Sequence, residues 1–344
     1  MLTAQKMTAK QLHDILKNIK VGGTVCHYSF KKCAELVPVI NEINELKEEK
    51  NAVILAHSYV SPEIIYGVAD FVGDSYALSK DAMSTDAKTI VFAAVRFMGE
   101  TAQILNPEKE VLIPSSLDGC TLADSINAAQ VRELRKKFPV HSFVCYINTT
   151  AGVKAECDVC VTSANVYDIV ENIPNDKIYF LPDKLMGKNL VAEMQKRGVK
   201  KDIQYFSGTC YVHEEYSAEQ IRNIRLEYPD VQVVSHPECK PDVVQHSDFV
   251  GSTAQMLQYM QKSEANEFLM LTECGLSSRL QVEMPHKRLV GSCTLCKFMK
   301  SNTLDNILRV LKNPTNRDRV ILDEKVRMRA AKCIEAMFFY TSQK

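Results

Sequence analysis

The chain has 344 residues, 46% of them apolar and 24% charged, an ordinary composition for a folded protein with more than one core. Its 42 Lys and Arg balance its 42 Asp and Glu, which excludes the basic field of a protein that binds nucleic acid or anionic membranes. No apolar run approaches the roughly 18 residues that span a bilayer, so we expect a cytoplasmic protein without a nucleic acid or membrane partner.

The N-terminal segment MLTAQKMTAKQLHDILKNIK has the spacing of an amphipathic helix. It lacks the apolar centre of a secretory signal and contains Asp14. We therefore interpret residues 1–45 as a helical extension whose role is packing.

From residue 46 onward the same order of elements occurs three times. Each unit has an amphipathic helix, an apolar strand, an aspartate that heads a short apolar run, a second helix, a second strand and a third apolar segment before a cysteine. The first strands are AVILAH, FVCYIN and VQVVSH. Strands that alternate with helices predict small parallel sheets covered by helices.

The predicted fold class is therefore α/β, with three homologous α/β/α three-layer domains around a pseudo-threefold axis. The predicted units are residues 46–118, 119–206 and 207–292. Residues 293–344 form a C-terminal loop and helices that we expect to pack back on the first unit.

A hydroxyl residue follows each of the repeated aspartates at the fifth position. The pairs are Asp70 with Ser75, Asp158 with Ser163, and Asp248 with Thr253. A Ser or Thr between a strand and a helix is a natural N-cap, which is one interpretation. A helix N-terminus also binds phosphate or carboxylate. Three termini that meet at one axis would form a pocket for a substrate with several anionic groups.

Polar side chains also follow the first strand of each unit. They are His57 and Tyr59, Tyr146 and Asn148, and His236 and Glu238. A lone histidine at such a place usually has a plain structural role, but here two of the three units carry one. Glu238 and His236 could transfer protons to an imine or enol if their pKa values lay near neutrality. His213 would face the same way as Cys210, three residues before it.

Each unit leads to a cysteine that follows a turn of small residues and precedes a helix, a setting that lowers the pKa of a thiol. These are Cys120, Cys210 and Cys296. Three thiolates suit an iron–sulfur cluster with one open iron, whereas zinc would take His213 as a fourth ligand. Three buried cysteines without a ligand are the structural alternative. The repeat alone does not decide between Cys293 and Cys296.

The remaining cysteines give weaker signals. The CxxC pair Cys157 and Cys160 is expected in a buried strand, where it would bind nothing. No partner at an informative spacing is found for Cys26, Cys33, Cys239, Cys274 and Cys333.

Between Asn51 and Leu311 the chain contains, in order, the segments AHSYVSPEI, VADFVGDSYAL, GCTLADS, GTCYVHE, SHPEC, DFVGSTAQM and CKFMKSNTL. In these segments it resembles the quinolinate synthases of bacterial NAD biosynthesis. The resemblance implies three α/β/α domains around a [4Fe–4S] cluster whose open iron acts as a Lewis acid. It also implies that iminoaspartate and dihydroxyacetone phosphate condense to quinolinate, with loss of phosphate and water, and that an iminoaspartate-producing enzyme is a functional partner.

Carried over by position, the resemblance assigns the cluster ligands to Cys120, Cys210 and Cys296, the last because CKFM fits the family's pattern better than Cys293 does. It assigns proton transfer to Tyr59, His213, His236 and Glu238. It assigns substrate binding to His57, Ser75, Tyr146, Asn148, Ser163, Ser252 and Thr253. The chain departs from the family at Ser58, where a second tyrosine is usual, and at Arg96, where histidine is often found.

Two hypotheses from other classes stand beside this one. A redox-sensing or iron-sensing protein would need only the three cysteines. A zinc-stabilised binding protein would use the same cysteines together with His213.

Overall fold

The computed structural model describes residues 6–20 and 27–342. Within these residues, three four-stranded sheets are interleaved with helices, and every strand pair is parallel. Each sheet has the same strand order, with the second strand on one side of the first and the third and fourth on the other. The predicted α/β class with three similar units is therefore confirmed. None of the described helices is long and apolar enough to cross a bilayer.

The first sheet follows two helices. The elements up to its last strand are α1 (Ala9–Leu16), α2 (Phe30–Glu49), β1 (Ala52–His57), α3 (Pro62–Gly67), β2 (Phe71–Gly73), α4 (Ser75–Ser84), β3 (Thr89–Ala93), α5 (Arg96–Leu105) and β4 (Glu110–Leu112). The predicted amphipathic N-terminal helix corresponds to α1, with Leu12 and Leu16 buried. The expected boundary at residue 46 lies inside α2, so this helix is the first element of the unit.

The second unit opens with a short 3-10 helix, Ala123–Ser125. It continues with α6 (Ala128–Lys137), β5 (Ser142–Tyr146), α7 (Ala151–Lys154), β6 (Val159–Val161), α8 (Val166–Asn172), β7 (Lys177–Leu181), α9 (Lys184–Lys196) and β8 (Asp202–Tyr205). The strands β5 and β7 are almost entirely buried, as the apolar runs predict for a sheet covered on both faces.

The third unit repeats this order, and three further helices follow it. Its elements are α10 (Tyr211–Glu214), α11 (Ala218–Glu227), β9 (Gln232–Ser235), α12 (Pro241–Gln245), β10 (Phe249–Val250), α13 (Thr253–Lys262), β11 (Glu267–Leu271), α14 (Cys274–Glu283) and β12 (Arg288–Leu289). The last helices are α15 (Lys297–Lys300), α16 (Leu304–Lys312) and α17 (Glu324–Ser342). α16 packs on α2, whereas α17 packs on β6 and α7, so residues 293–344 contact the second unit as well as the first.

The repeated aspartates hold each first strand against the helix that precedes it. One carboxylate oxygen of each accepts a hydrogen bond of 2.7 Å from a strand amide, that of Ile54, Phe143 or Val233. In the first two units the other carboxylate oxygen contacts a cation near the end of the preceding helix, in the pairs Lys47–Asp70 and Arg135–Asp158. In the third unit, Arg225 contacts the same oxygen of Asp248 that accepts from the strand amide. The repeated aspartate thus has a structural role.

A repeated lysine, which the sequence pattern does not predict, caps the helix that follows the second strand of each sheet. Lys109, Lys201 and Lys287 each donate to two backbone carbonyls at or just beyond the ends of α4, α8 and α13. The last carbonyls of a helix lack intrahelical partners, and a cation there also favours the helix dipole.

Backbone pairing places the three cysteine loops alike. The amide at the first residue of α5, α9 and α14 donates to a carbonyl in the loop that follows the fourth strand. These bonds are Arg96 to Asp118, Lys184 to Gly208 and Cys274 to Thr294, with lengths of 2.7, 2.7 and 3.1 Å. Each acceptor lies two residues before one of the predicted cysteines, so the fold delivers all three to equivalent positions beyond the carboxyl ends of the strands.

Candidate active site

A cavity lies at the carboxyl ends of the strands, where the three units meet. The three predicted cysteine ligands line it, together with ten of the eleven other predicted site residues. Those ten are His57, Tyr59, Ser75, Tyr146, Asn148, Ser163, His213, His236, Glu238 and Thr253. The exception is Ser252, which is buried beside the cavity. Residues far apart in the chain are thus brought to one site.

A continuous chain of hydrogen bonds runs along the wall of the cavity. Tyr146 donates its hydroxyl to Glu238 Oε1 at 2.6 Å, and Glu238 Oε2 lies 3.1 Å from His213 Nδ1. The other ring nitrogen, Nε2, lies 3.0 Å from Thr272 Oγ1, which lies 2.6 Å from the Tyr59 hydroxyl. The chain joins side chains of all three units, and all five side chains are buried.

Two further histidines flank this chain. The ring of His236 stacks on that of His213 with centroids 4.6 Å apart, and its Nδ1 accepts from the Glu238 amide at 3.4 Å. His57 packs edge-on against Tyr59 and accepts the Tyr59 amide on its own Nδ1 at 3.2 Å. Since Nδ1 is an acceptor in both neutral rings, we assign the proton of each to Nε2.

The charges of these groups differ from the sequence expectation. Burial, the largest influence, lowers the pKa of His57 and of His236 to about 3, so both rings are neutral. Burial opposes the charge on Glu238, but the imidazoles of His213 and His236 and the hydrogen bonds it accepts outweigh that effect and lower its pKa. The near-neutral pKa values on which proton transfer by His236 and Glu238 depends in the sequence analysis are therefore not found. Burial likewise raises the pKa of Tyr59 and Tyr146 well above the ordinary range.

The three cysteine thiols are free and partly exposed. Burial raises the pKa of Cys120 to about 12 and also raises the pKa of Cys210 and Cys296. Hydrogen bonds from nearby amides act in the opposite direction, as the sequence suggested, but burial outweighs them. The expected lowering of these pKa values is thus wrong for the metal-free chain. A bound metal has the opposite effect on the thiol pKa values, because a coordinated thiol is deprotonated.

The donor set fits a three-thiolate centre better than a zinc site completed by His213. Cys210, His213 and Glu238 offer ligand atoms within 4.8 Å of one another. However, both ring nitrogens of His213 already have partners, Thr272 and Glu238, so zinc ligation would break the hydrogen-bond chain. Three free thiols from three units remain as the donors.

Cys293 is not a free donor, because it forms a disulfide with Cys274. The sequence offers no partner for Cys274 at an informative spacing, and the structure pairs it with Cys293. Their 19-residue separation spans β12 and carries no recognisable signature, so the sequence could not indicate the bond. The CxxC pair lies away from the cavity: Cys157 and Cys160 are buried near Cys145, whose sulfur is 3.5 Å from that of Cys333.

The hydroxyls that end the short apolar runs are not the helix caps. Asp74 caps α4 and Ser252 caps α13. This leaves the neighbouring hydroxyls of Ser75 and Thr253 free of capping, and the Thr253 Oγ1 is buried without a hydrogen-bond partner among the described residues. The plain N-cap interpretation is wrong for both, whereas the unpartnered hydroxyl of Thr253 indicates a position for a polar ligand.

The sequence analysis does not identify two buried residues of the site, Thr272 and Glu273. Both directly follow β11, and the repeat places Ala94 and Pro182 where Thr272 stands, so the chemistry at this position differs between units. The only available signal is the position at a strand end. Ser58 and Arg96, the two positions at which the sequence departs from the pattern it resembles, both lie close to the site. Ser58 accepts a hydrogen bond from Arg279 at 2.8 Å, and Arg96 forms an ion pair with Asp118 near the first cysteine loop.

Comparison with known proteins agrees with this geometry. A family model described as quinolinate synthetase A protein matches residues 41–339. A relative from Mesorhizobium japonicum, named quinolinate synthase 1, is 44% identical over 300 residues, which are 87% of this chain and 90% of the relative. The quinolinate synthase of Xylella fastidiosa strain 9a5c is 42% identical over 340 residues, 97% and 98% of the two chains. That of Caulobacter vibrioides strain NA1000 is 41% identical over 304 residues, 87% and 81% of the two chains.

Proposed function

Because the chain belongs to the quinolinate synthetase A family, we propose that it is a quinolinate synthase that serves NAD biosynthesis. It condenses iminoaspartate with dihydroxyacetone phosphate and releases phosphate and water. The observation that carries the proposal is the Tyr59–Thr272–His213–Glu238–Tyr146 chain, which faces the same cavity as three free thiols. A sensor that needs only the cysteines has no use for such a chain.

The proposed cofactor is a [4Fe–4S] cluster held by Cys120, Cys210 and Cys296. When bound, the cluster offers one iron without a protein ligand, which acts as a Lewis acid on a substrate oxygen. The three thiols come from equivalent loops of the three units and line one cavity, and this supports the assignment. The proposed domains keep the boundaries 119, 207 and 293, and the first domain extends back to the start of α2.

The proposed binding of substrate uses hydroxyls at the helix ends. Ser75, Ser163 and Thr253 lie at or near the N-terminal ends of α4, α8 and α13 and line the cavity. There they hold the phosphate and carboxylate groups, which the free amides and the helix dipoles also favour. Asn148 and the Nε2–H groups of His57 and His236 donate to the remaining oxygens.

The proposed proton transfers run through Tyr59. The Glu238 carboxylate holds the proton of His213 on Nδ1, so Nε2 is the basic nitrogen and faces Thr272 Oγ1. A proton that leaves the Tyr59 hydroxyl passes through Thr272 to His213 Nε2 and returns by the same route. Because burial raises the pKa of Tyr59, this hydroxyl needs such a base to take a proton from the substrate. Tyr146 fixes the second oxygen of Glu238.

The test is an anaerobic assay for quinolinate with both substrates and protein of measured iron content. We expect turnover in the wild type, a loss of about 10²-fold or more in kcat for Thr272→Val, as is typical when general acid–base catalysis is interrupted, and partial activity for Thr272→Ser. A protein that holds about four irons per chain yet makes no quinolinate would support the sensor hypothesis. Stoichiometric zinc would support the zinc-binding hypothesis.

A further inference from the structure

We propose that Glu273 and Lys300 are a positioning pair that fixes the third cysteine loop and ties it to the backbone of Tyr59. The metal centre and the proposed catalytic tyrosine are then held at a set separation by one ion pair, in which Glu273 is fully buried and Lys300 is partly exposed. This inference rests on the proposed function.

Glu273 is placed between two backbone segments. It caps α14, and its side chain is fully buried. Its Oε2 accepts from the Gly275 amide at 2.6 Å, while its Oε1 accepts from the Cys296 amide at 3.0 Å. One carboxylate thus joins the start of α14 to the residue that offers the third thiol.

Lys300 extends this connection to the first unit. Its Nζ lies 3.2 Å from Glu273 Oε1 and also donates to the Tyr59 carbonyl. Gly275 lets the backbones come this close: a Cβ at this position would lie 2.6 Å from the Tyr59 Cα and 2.8 Å from Glu273 Oε2. The pair therefore bridges the Cys296 loop and Tyr59 through two charge-assisted hydrogen bonds.

The other two units lack this connection within the described part of the chain. The residue equivalent to Glu273 is Val95 in the first unit, which cannot accept a hydrogen bond. In the second unit it is Asp183, which caps α9 and leaves its other oxygen unpartnered. The Cys120 amide donates to Asp124 of its own loop. Among the described residues, Cys296 is thus the one of the three cysteines whose amide donates to a side chain distant in the sequence.

A buried ion pair is weak evidence for a stabilising role, because apolar residues of similar volume often serve stability equally well. Here the two side chains satisfy three backbone groups that belong to three separate segments. Accurate placement of the Cys296 loop relative to Tyr59 is the property that an apolar pair would not reproduce. Stability and placement can therefore be separated by experiment.

The first measurement needs no cluster. In the metal-free chain, Lys300→Met frees the Cys296 loop, and we expect iodoacetamide to alkylate Cys296 about tenfold faster, comparable to the effect of losing an outer-shell partner. Alkylation of Cys120 in the same sample is the internal control and stays unchanged. Lys300→Arg, which keeps the charge, restores the slow rate. Equal rates at Cys296 in the wild type and Lys300→Met would overturn the proposal.

The second measurement uses the loaded enzyme at matched iron content. We expect Lys300→Met and Glu273→Gln to lower kcat by about 10- to 100-fold, the range typical of outer-shell changes, with KM near that of the wild type and an altered EPR spectrum of the reduced cluster. Combined with Tyr59→Phe, Lys300→Met should cost less than the product of the single effects.

A merely structural role would lower iron content and thermal stability together and leave kcat per cluster and the EPR spectrum unchanged; this result overturns the proposal. If the wild type holds no cluster, the proposed function fails, and the alkylation rates still decide the placement of Cys296. If Lys300→Met does not fold, Glu273→Gln answers both measurements, since it keeps the shape of the side chain.

Discussion

Glu238 carries a charge in a place where a charge is costly. Its carboxylate is almost fully buried, and such a group keeps its charge only when hydrogen bonds and neighbouring charges compensate the lost hydration. Tyr146 and His213 supply this compensation through the hydrogen bonds that they donate to the two carboxylate oxygens. The carboxylate in turn fixes the orientation of His213, and in the proposed mechanism this keeps Nε2 as the basic nitrogen.

Glu238→Gln should therefore keep the metal centre and lose turnover. A glutamine can accept from Tyr146, but its amide cannot stabilise a proton gained by His213. We expect kcat to fall by about 10²- to 10⁴-fold, the usual contribution of a general acid–base group, at an unchanged iron content per chain. Quinolinate formation and iron are measured on the same anaerobic preparation.

The matched control is Glu227→Gln, on the exposed last residue of α11, which should behave as the wild type does. An active Glu238→Gln would remove this residue from the mechanism. Loss of iron together with activity would instead assign Glu238 to holding the metal, in line with its closeness to Cys210.

The buried neutral histidines predict how stability depends on pH. The pKa of His57 is lowered to about 3 in the folded chain, against about 6.5 in an unfolded chain. The unfolded chain therefore binds this proton first as the pH falls. Stability is complete above about pH 6.5 and is lost progressively toward about pH 3.

Urea unfolding of the metal-free protein tests this. Between about pH 7.5 and about pH 5.5, His57 should account for about 1.4 kcal/mol of the loss in the free energy of unfolding. His57→Gln should lose less by that amount, whereas His286→Gln, on an exposed side chain, should follow the wild type. An identical pH dependence in all three proteins would show that folding does not shift the pKa of His57.

At the scale of elements, most strands and helices could be predicted, but the helix that follows the third strand of each sheet could not. Apolar runs and amphipathic spacing indicate the strands and the helices α2, α6 and α11 correctly, because one face of each such helix is polar. No pattern indicates α5, α9 and α14. In α5, seven of ten residues are buried, and they include the polar Thr101 and Gln103, so the division into apolar buried and polar exposed positions is incomplete.

The residues of the site also divide into those that the sequence predicts and those that it does not. The ends of the first strands and the repeated hydroxyls and cysteines could be predicted, since repetition marks them and parallel strands bring their carboxyl ends to one edge. Thr272 and Glu273 could not, because their roles depend on side chains of other units: Tyr59 for Thr272, Lys300 for Glu273. Contacts of this kind exist only once the three units are assembled.

The repeated lysine caps give a prediction for one element. Lys201 is nearly buried and donates to the carbonyls of Ile173 and Asn175, just beyond the end of α8. Lys201→Met leaves both acceptors unpaired, and we expect the free energy of unfolding to fall by about 1–3 kcal/mol, the cost of a buried unsatisfied group. The comparison is Lys196→Met, at a largely exposed position on α9, which should change stability little. Equal effects in urea unfolding would mean that solvent replaces the cap.

At the scale of the whole molecule, the three units depend on one another for the site. No single unit carries the cavity: the hydrogen-bond chain takes Tyr59 from the first, Tyr146 from the second and Glu238 from the third. The predicted metal ligands are divided in a similar way, because one cysteine lies in the loop after the fourth strand of each sheet. A metal held by all three would cross-link loops that lie about 90 residues apart along the chain, and it would bind the folded state alone.

Loading with iron and sulfide should therefore stabilise the entire chain, since a ligand that binds only the folded state shifts unfolding by mass action. We expect the anaerobic protein to unfold at a higher temperature with the cluster than without it, in a single transition that includes all three units.

Cys120→Ala, Cys210→Ala and Cys296→Ala should each abolish both the iron and the added stability, because two thiolates leave the cluster with two open irons. Cys293→Ser is the matched control: its sulfur is bonded to Cys274 and is not free to bind iron, so this variant should retain most of the iron. Loss of iron in Cys293→Ser with retention in Cys296→Ala would exchange the two assignments, and an unchanged unfolding temperature on loading would place the metal outside the shared cavity.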